Sequence, residues 1–324
     1  MDKFYFITHD IHDPYFNIAS DEYLLKQKDG YYIYLWINSP AVIVGLNQNT
    51  LQEVNTAFTE KNGIKVVRRL TGGGAVYHDL NNICYTVVAP YDSKTDNYIK
   101  FTAPVIKYLS TLGVQAEFAG RNDILVDGKK ISGNAQTIYK NRILHHGTLL
   151  YNTDMSVLGD ALKANKLKTE SKGIKSVRAR VQNIYDLLPQ KMSTQEFYAG
   201  LCRYFRETCE EYVLTKEDIA AIEKLKKEKY STYEWNIGKS PKGKSRFDGR
   251  FSFGTITITF DTENGIIENA EIHGDFFSHN DVSILAEKLN GKKMSYSDVK
   301  EALKDASDYI VNADGNEITE KMFS

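Results

Sequence analysis

The alternation of apolar and polar positions divides the chain into short strands and amphipathic helices. Residues 3–8 (KFYFIT) and 31–37 (YYIYLWI), rich in aromatic and β-branched side chains, read as strands. Between them, Phe16 to Gln27 has helical spacing. The run 41–45 (AVIVG) is a short buried strand, and 65–70 (KVVRRL) and 82–90 (NICYTVVAP) are two more. Residues 98–112 form an amphipathic helix closed by Gly113, with Pro104 marking its true first turn. A β-dense region follows, with hairpin turns at Asp127-Gly128 and Lys140-Asn141. Helical patterns then cover about 156–164, 194–212 and 216–229.

Residues 238–250 (GKSPKGKSRFDGR) interrupt this regularity. They are polar and basic and contain Gly and Pro, so a linker is expected over about 238–251. Beyond it, GTITITF and IIENAEIHG are strands around a Glu263-Asn264-Gly265 turn. Two helices follow, VSILAEKLNG and SDVKEALKDASDYI. Ser295 and Asp298 form a capping pattern for the second, which places Val299, Ala302, Leu303 and Ala306 on one face. The expected division is a large domain at 1–240 and a small α+β domain at 252–324.

Composition narrows the class. Of 324 residues, 42% are hydrophobic and 26% charged, as in ordinary globular proteins, and the net charge of −1 gives no reason to expect nucleic acid or an anionic membrane as partner. The three cysteines, Cys84, Cys202 and Cys209, fit neither a disulfide framework nor a zinc site. No apolar stretch is long enough for a membrane span and MDKFYFITHD lacks signal-peptide character, so the cytoplasm is the expected compartment.

Three clusters carry candidate chemistry. Arg68 to Asp79 (RRLTGGGAVYHD) places three consecutive glycines after two arginines. Glycine is expensive to order, so such a run suits close approach of an anion or a flat ring, held by bare backbone N–H groups. The arginines would add charge and forked donors. A flexible hairpin with a surface Arg pair is the alternative, and the spacing is neither a P-loop nor a dinucleotide fingerprint. The second cluster, Gly120 to Ala135, presents Lys130 near Ser132-Gly133: either a fixed cation for a phosphate or a solvated hairpin lysine. The third, His145-His146-Gly147-Thr148, has no carboxylate or Cys at ligand spacing and is not expected to bind metal.

Together, RRLTGGGAVYHD, GRNDILVDGKKISGNAQ and HHGTLLYN resemble the lipoate–protein ligase family in order, spacing and wording. PAVIVGLNQNTLQEVN at 40–55 and KGIKSVRARVQNI at 172–184 are similar to that family as well. The resemblance runs over about residues 3–237, and the small C-terminal unit fits the accessory domain of the long form. It implies an α+β fold shared with biotin ligases, a mixed, largely antiparallel sheet with flanking helices. It also implies a reaction in which lipoate and ATP give lipoyl-AMP, from which the acyl group passes to a lysine of a carrier domain.

The resemblance assigns expected roles. Lys130 matches the family's essential lysine, bridging the lipoate carboxyl and the α-phosphate. Arg69 would contact the nucleotide, with Gly72 and Gly73 letting the loop fold over it and Gly74, Ala75, Val76 and Tyr77 giving backbone contacts. Asn122, Gly133, Gly147 and Thr148 complete the binding set. Asp123 either holds Mg²⁺ or orients Lys130; His78 and His146 either shape the site or are structural. Trp36, Val44, Ala135 and Leu149 are either walls of a lipoyl slot or core packing. Asp123 or His146 are candidates for deprotonating the acceptor amine. The loop 172–184, with Lys172, Lys175, Arg178 and Arg180, would cover the adenylate or meet an acidic carrier. Expected partners are lipoyl domains of 2-oxoacid dehydrogenase E2 subunits and the glycine-cleavage H protein, and a monomer is expected. The rivals are an octanoyl or lipoyl transferase working through a cysteine thioester, and a non-catalytic lipoate binder. A biotin ligase is disfavoured because RRLTGGG lacks that family's arginine–glycine alternation.

Overall fold

Buried strands pair first with their sequence neighbours, and the register of that pairing builds the frame of the site. The computed structural model describes residues 3–162, 180–236, 245–263, 266–293 and 295–323. The strands of the larger unit are β1 (Phe4–Thr8), β2 (Tyr31–Ile37), β3 (Ala41–Val44), β4 (Lys65–Arg68), β5 (Val76–His78), β6 (Asn82–Pro90), β7 (Glu117–Ala119), β8 (Asp123–Val126), β9 (Lys129–Tyr139), β10 (Arg142–Leu150) and β11 (Glu210–Glu211). Among the described residues they form an eight-stranded sheet, β11-β1-β2-β6-β10-β9-β8-β7, and a small sheet, β4-β3-β5. Pairing is antiparallel except where β1 meets β2 and β11 and where β3 meets β4. The expected mixed, largely antiparallel α+β fold is what forms.

Successive side chains of a strand point to opposite faces, so each strand feeds two cores. Leu35, Tyr85 and Ile143 pack with Phe101 and Leu109 of helix α2 (Asn97–Thr111) and Phe197 and Leu201 of α3 (Thr194–Arg206). Trp36, Cys84 and Leu144 face the other way, toward Phe16, Ile18 and Leu25 of α1 (Pro14–Gln27). Helix α1 starts two residues before the apolar spacing suggested, because Asp13 caps Tyr15 N and Pro14 occupies the first turn. Helix α2 starts at Asn97, capped by Asp96, so Pro104 lies inside it rather than in its first turn. The Asp127-Gly128 hairpin has both residues at positive φ, 49° and 73°, as a type I′ turn requires.

The second unit is a three-stranded antiparallel sheet, β12 (Ser245–Phe251), β13 (Gly254–Glu263) and β14 (Ile266–Gly274). Its helices include Val282–Glu287 and Tyr296–Leu303. Val299, Ala302, Leu303 and Ala306 are buried in its core, and Ser295 accepts from Asp298 N as the capping pattern anticipated. The anticipated second helix is broken, however, into Tyr296–Leu303 and Ala306–Tyr309. The stretch read as linker to residue 251 is not all linker: Ser245–Phe251 pairs with β13, its polar surface explained by the exposed Arg246–Asp248 ion pair at 2.5 Å. Residues 237–244, the Asn264-Gly265 pair and residues 163–179 lie outside the described residues.

Candidate active site

A cavity of about 190 Å³ opens where the sheet face carrying Trp36 and Cys84 meets the glycine loop between β4 and β5. Sheet register sets its long direction. Trp36 pairs with Cys84, Cys84 with Thr148, and Gly133 with Asp123, while Gly133 N donates to the Thr148 hydroxyl at 3.4 Å. These residues form one row across the strands. From β2 to β9 the row spans three strand spacings, about 14 Å. Trp36 and Cys84 are almost fully buried at one end; Lys130 is half-buried at the other.

The polar end is built by β8 and β9. Lys130 Nζ lies 2.7 Å from Asp123 Oδ1, a contact ion pair, both side chains about one-third exposed. The lysine folds across Gly133, where a Cβ would come within 2.7 Å of Nζ. The Lys130 backbone is held from the other side: its N–H donates to Arg180 O at 2.6 Å and its carbonyl accepts from Gln182 N at 2.9 Å. Lys172, Lys175 and Arg178 of the anticipated covering loop lie outside the described residues. Asn122 and Asn134 lock the β8–β9 corner, Asn122 Nδ2 donating to Asn134 O and Asn134 N to Asn122 O.

The two arginines do not present free forks to a ligand. Arg68 is fully buried and donates to the carbonyls of Gly45, Leu46, Gln48 and Trp235 and to Thr50 Oγ1. The idea that both arginines grip an anion is therefore corrected: Arg68 staples the turn after β3. Arg69 borders the cavity, yet it donates to Ile43, Gly72 and Gly74 carbonyls and to Thr71 Oγ1. Burial pushes each guanidinium down to about 10, with Arg68 adding to the effect at Arg69, so both stay cationic at neutral pH.

The three glycines turn out unequal. A Cβ on Gly72 would collide with the Phe276 carbonyl of the second unit. Gly73 has φ +92° and donates its N–H to Phe276 O at 3.2 Å. A Cβ on Gly74 would meet nothing within 4 Å, and this glycine lines the cavity with Ala75 and Val76. Gly72, Tyr77 and Asp123 are not in the lining itself; Tyr77 packs with Val42 and Val44. The second unit also supplies Phe277, which reaches the cavity with Arg121 4.6 Å above its ring.

Both histidines expected at the site line the cavity. Adjacent strand residues face opposite sides, so His145 and His146 part company: His145 contacts Gln136 and Asn134 on the α2 face. His146 Nδ1 lies 2.8 Å from Asp21 Oδ2, and its Nε2 2.8 Å from Thr71 Oγ1. Asp21 Oδ1 accepts from Thr86, which accepts from Trp36 Nε1. His78 is buried beside Cys84 and Asn38. Burial, then the charge of Arg69, pushes it down to about 3. Of the proposed walls, Trp36 and Ala135 line the cavity, while Val44 and Leu149 pack in other clusters. Gly147 and Thr148 line it.

Asp21, Thr71, Asn134 and Phe277 were not anticipated. For Asp21 a signal existed: Asn17 and Asp21 sit one turn apart on the buried face of α1, and polar residues inside an apolar stripe mark a buried network. Among the described residues, no group of three His, Cys, Asp or Glu side chains is placed to hold a metal ion, and no helix is long and apolar enough to cross a membrane.

Comparison with known proteins places this geometry. The family model described as lipoyl protein ligase A/B catalytic domain matches residues 13–206, and that of the bacterial lipoate protein ligase C-terminus matches residues 240–322. Lipoate-protein ligase LplJ of Bacillus subtilis (strain 168) is 45% identical over 301 residues, covering 90% of this chain and 91% of that one. Lipoate–protein ligase 1 of Staphylococcus aureus is 43% identical over 323 residues, covering 97% and 98%. LipL1 of P. falciparum, solved in complex with lipoate, shares the fold at TM-score 0.79 and 24% identity over 98% of this chain and 97% of that one. A bi-partite lipoate protein ligase from Thermoplasma acidophilum, described with its E2 lipoyl domain, has TM-score 0.65 at 30% identity, covering 75% and 99%. A lipoate-protein ligase A bound with ATP has TM-score 0.63 at 29% identity, covering 73% and 98%.

Proposed function

The chain belongs to the lipoate–protein ligase family, and from that premise we propose that it activates lipoate with ATP and passes the lipoyl group to a lysine of a lipoyl carrier domain. It is an ATP-dependent ligase. The observation that carries the reading is the polarity of the cavity: a cation, Lys130, at one end of a row that runs about 14 Å to a buried, largely uncharged end at Trp36 and Cys84. That shape suits an acid on an extended medium-length chain.

In the first step a lipoate carboxylate oxygen attacks the α-phosphorus and the bond to pyrophosphate breaks. Both reactants are anions, so the site must cancel charge before positioning can help. Lys130 serves there as a point charge, parked on Asp123 until substrate arrives. Arg69 lends a buried positive field while its donors hold the loop in shape. Gly74, Ala75 and Val76 offer backbone to the nucleotide, Gly72 and Gly73 set the loop's course and Tyr77 anchors its far end. Asn122, Gly133, His146, Gly147 and Thr148 shape the rest. For Mg²⁺, one carboxylate next to nucleotide phosphates is an ordinary donor set, and Asp123 would supply it; the ion would neutralise phosphate charge. In the second step the carrier amine attacks the acyl carbon and AMP leaves. A lysine near pKa ~10.4 is almost wholly protonated at neutral pH, so the amine must lose a proton first.

Acceptors are lipoyl domains, of E2 subunits and the H protein; the enzyme acts as a monomer in the cytoplasm. The chain divides into a catalytic unit at 1–240 and an accessory unit at 252–324, which β12 joins. Pyrophosphate release tests the reading: it requires ATP and lipoate together, and carrier labelling follows. Labelling without ATP would point instead to a thioester transferase. Cys84 does line the cavity, 3.6 Å from His78 Nδ1. Burial pushes its thiol well above the ordinary range, however, and His78 Nδ1 is engaged by Asn38, so His78 does not activate it. Lipoate binding with no pyrophosphate would indicate a non-catalytic binder.

A further inference from the structure

The buried end of the slot carries a hydrogen-bond donor with no adequate partner among the described residues, and its orientation follows from a chain of bonds. His9 Nδ1 accepts from Ile11 N, so in the neutral ring Nε2 donates to Tyr34 OH. Tyr34 OH in turn donates to Asn17 Oδ1 at 2.9 Å. Asn17 Nδ2 therefore faces Asn38 Oδ1, at 2.9 Å. Asn38 Nδ2 then faces His78 Nδ1, at 3.1 Å. Each group is fixed by the one before it, so His78 Nδ1 must be the acceptor, and the ring proton sits on Nε2. Burial keeps the ring neutral, its pKa pushed down to about 3. Among the described residues, the partner nearest Nε2 is Cys84 Sγ at 3.9 Å, too long for more than a weak contact. His78 is 2% exposed and lines the cavity. A buried donor left unmade is costly, so the site gains from a ligand that fills it.

The surroundings define what that ligand group is. Cys84 Sγ already accepts from Asn82 Nδ2 at 3.2 Å, and the Trp36 and His78 ring centroids are 6.0 Å apart. Sulfur and aromatic faces favour a soft, polarisable guest over a plain methyl terminus. The Cys84 thiol stays protonated, so it can rest beside a disulfide without attacking it.

Resting on the ligase reading above, we propose that His78 Nε2–H donates to a ring sulfur of a bound 1,2-dithiolane, and that His78 with Cys84 makes this enzyme prefer lipoate to octanoate. Octanoate ends in a methyl group and leaves the donor unmade.

Calorimetric binding to the unmodified full chain tests this with lipoate, octanoate and a cyclopentane analogue in which both ring sulfurs are CH₂. The analogue keeps the ring's bulk and loses only the sulfur acceptors. It should bind about threefold to tenfold more weakly than lipoate, the worth of one modest hydrogen bond. Equal binding of lipoate and the analogue overturns the proposal. His78→Phe keeps a ring in place and removes the donor; it should narrow the lipoate-to-analogue ratio toward one, and an unchanged ratio in a folded variant overturns it equally. Pyrophosphate release is read in parallel. Discrimination without pyrophosphate would support the sulfur site and sink the ligase reading, whereas pyrophosphate without discrimination does the reverse.

Discussion

Asp21 and His146 meet at 2.8 Å, a carboxylate from α1 and an imidazole from β10, 125 residues apart in the chain. A hydrogen-bond network runs through them. Trp36 N–H donates to Thr86, Thr86 to Asp21, and His146 Nδ1–H to Asp21; Arg69 Nε–H donates to Thr71 Oγ1, which lies 2.8 Å from His146 Nε2. The base of the glycine loop is thereby tied to the first helix. Asp21→Asn would turn an amide N–H against one of two donors. We expect a loss of roughly 1–3 kcal/mol in denaturant unfolding, the cost of unsatisfied buried groups, and adenylate formation weakened more than transfer from preformed lipoyl-AMP. Unchanged stability would show that the network does not hold the loop.

Lys130 is half-buried, and its backbone contacts with Arg180 and Gln182 survive truncation of the side chain. Lys130→Ala should therefore keep the melting temperature within a few degrees and lower lipoate-dependent pyrophosphate release by about 100-fold or more. Release near the unmodified rate would remove Lys130 from the reacting centre.

The glycine triad offers a paired test. The Cβ of Gly72→Ala collides with the main-chain carbonyl of Phe276, which no side-chain rotation can relieve, so the 272–277 segment must shift away from the loop. Gly74→Ala meets nothing within 4 Å. Limited proteolysis should find new cuts in the first variant and none in the second. Matching digestion patterns would mean that the second unit does not press on Gly72.

Acid should destabilise the protein above the carboxylate range. Burial pushes His78 and His145 each down to about 3, and His9 down to about 4, from an ordinary 6.5. Between about 4 and 6.5 the unfolded chain binds protons at all three rings and the folded chain does not. Stability is thus fully present above pH ~6.5 and declines as pH falls, by roughly 2 kcal/mol per ring at pH 5. Urea midpoints at pH 7.5 and pH 5 measure it. His78→Phe should flatten the slope by about a third; an equal slope in that variant would argue that His78 titrates normally.

The legible part of the site was local. Arg69, Gly73 to Val76, His78, Asn122, Lys130, Gly133 and His146 to Thr148 all reach one cavity, because each cluster is a contiguous strand–loop segment whose pattern the chain carries by itself. The Asp127-Gly128 hairpin was legible for the same reason, since its turn chemistry is confined to two residues. What a side chain touches across the sheet was not. The two arginines looked alike in sequence, but Arg68 is consumed by carbonyls from β3's turn and from Trp235, 167 residues away.

The sequence by itself therefore determined the elements, the α+β class and which residue types gather near the pocket, since period-two and helical spacing and turn residues act over a few positions. Only tertiary structure decided that Asp21 completes the His146 network, that Gly72 accommodates Phe276 rather than a ligand, and that Arg69 shapes the loop it borders. Those outcomes depend on strand register and on contacts between distant segments, where one residue of slip would send each side chain to the opposite face.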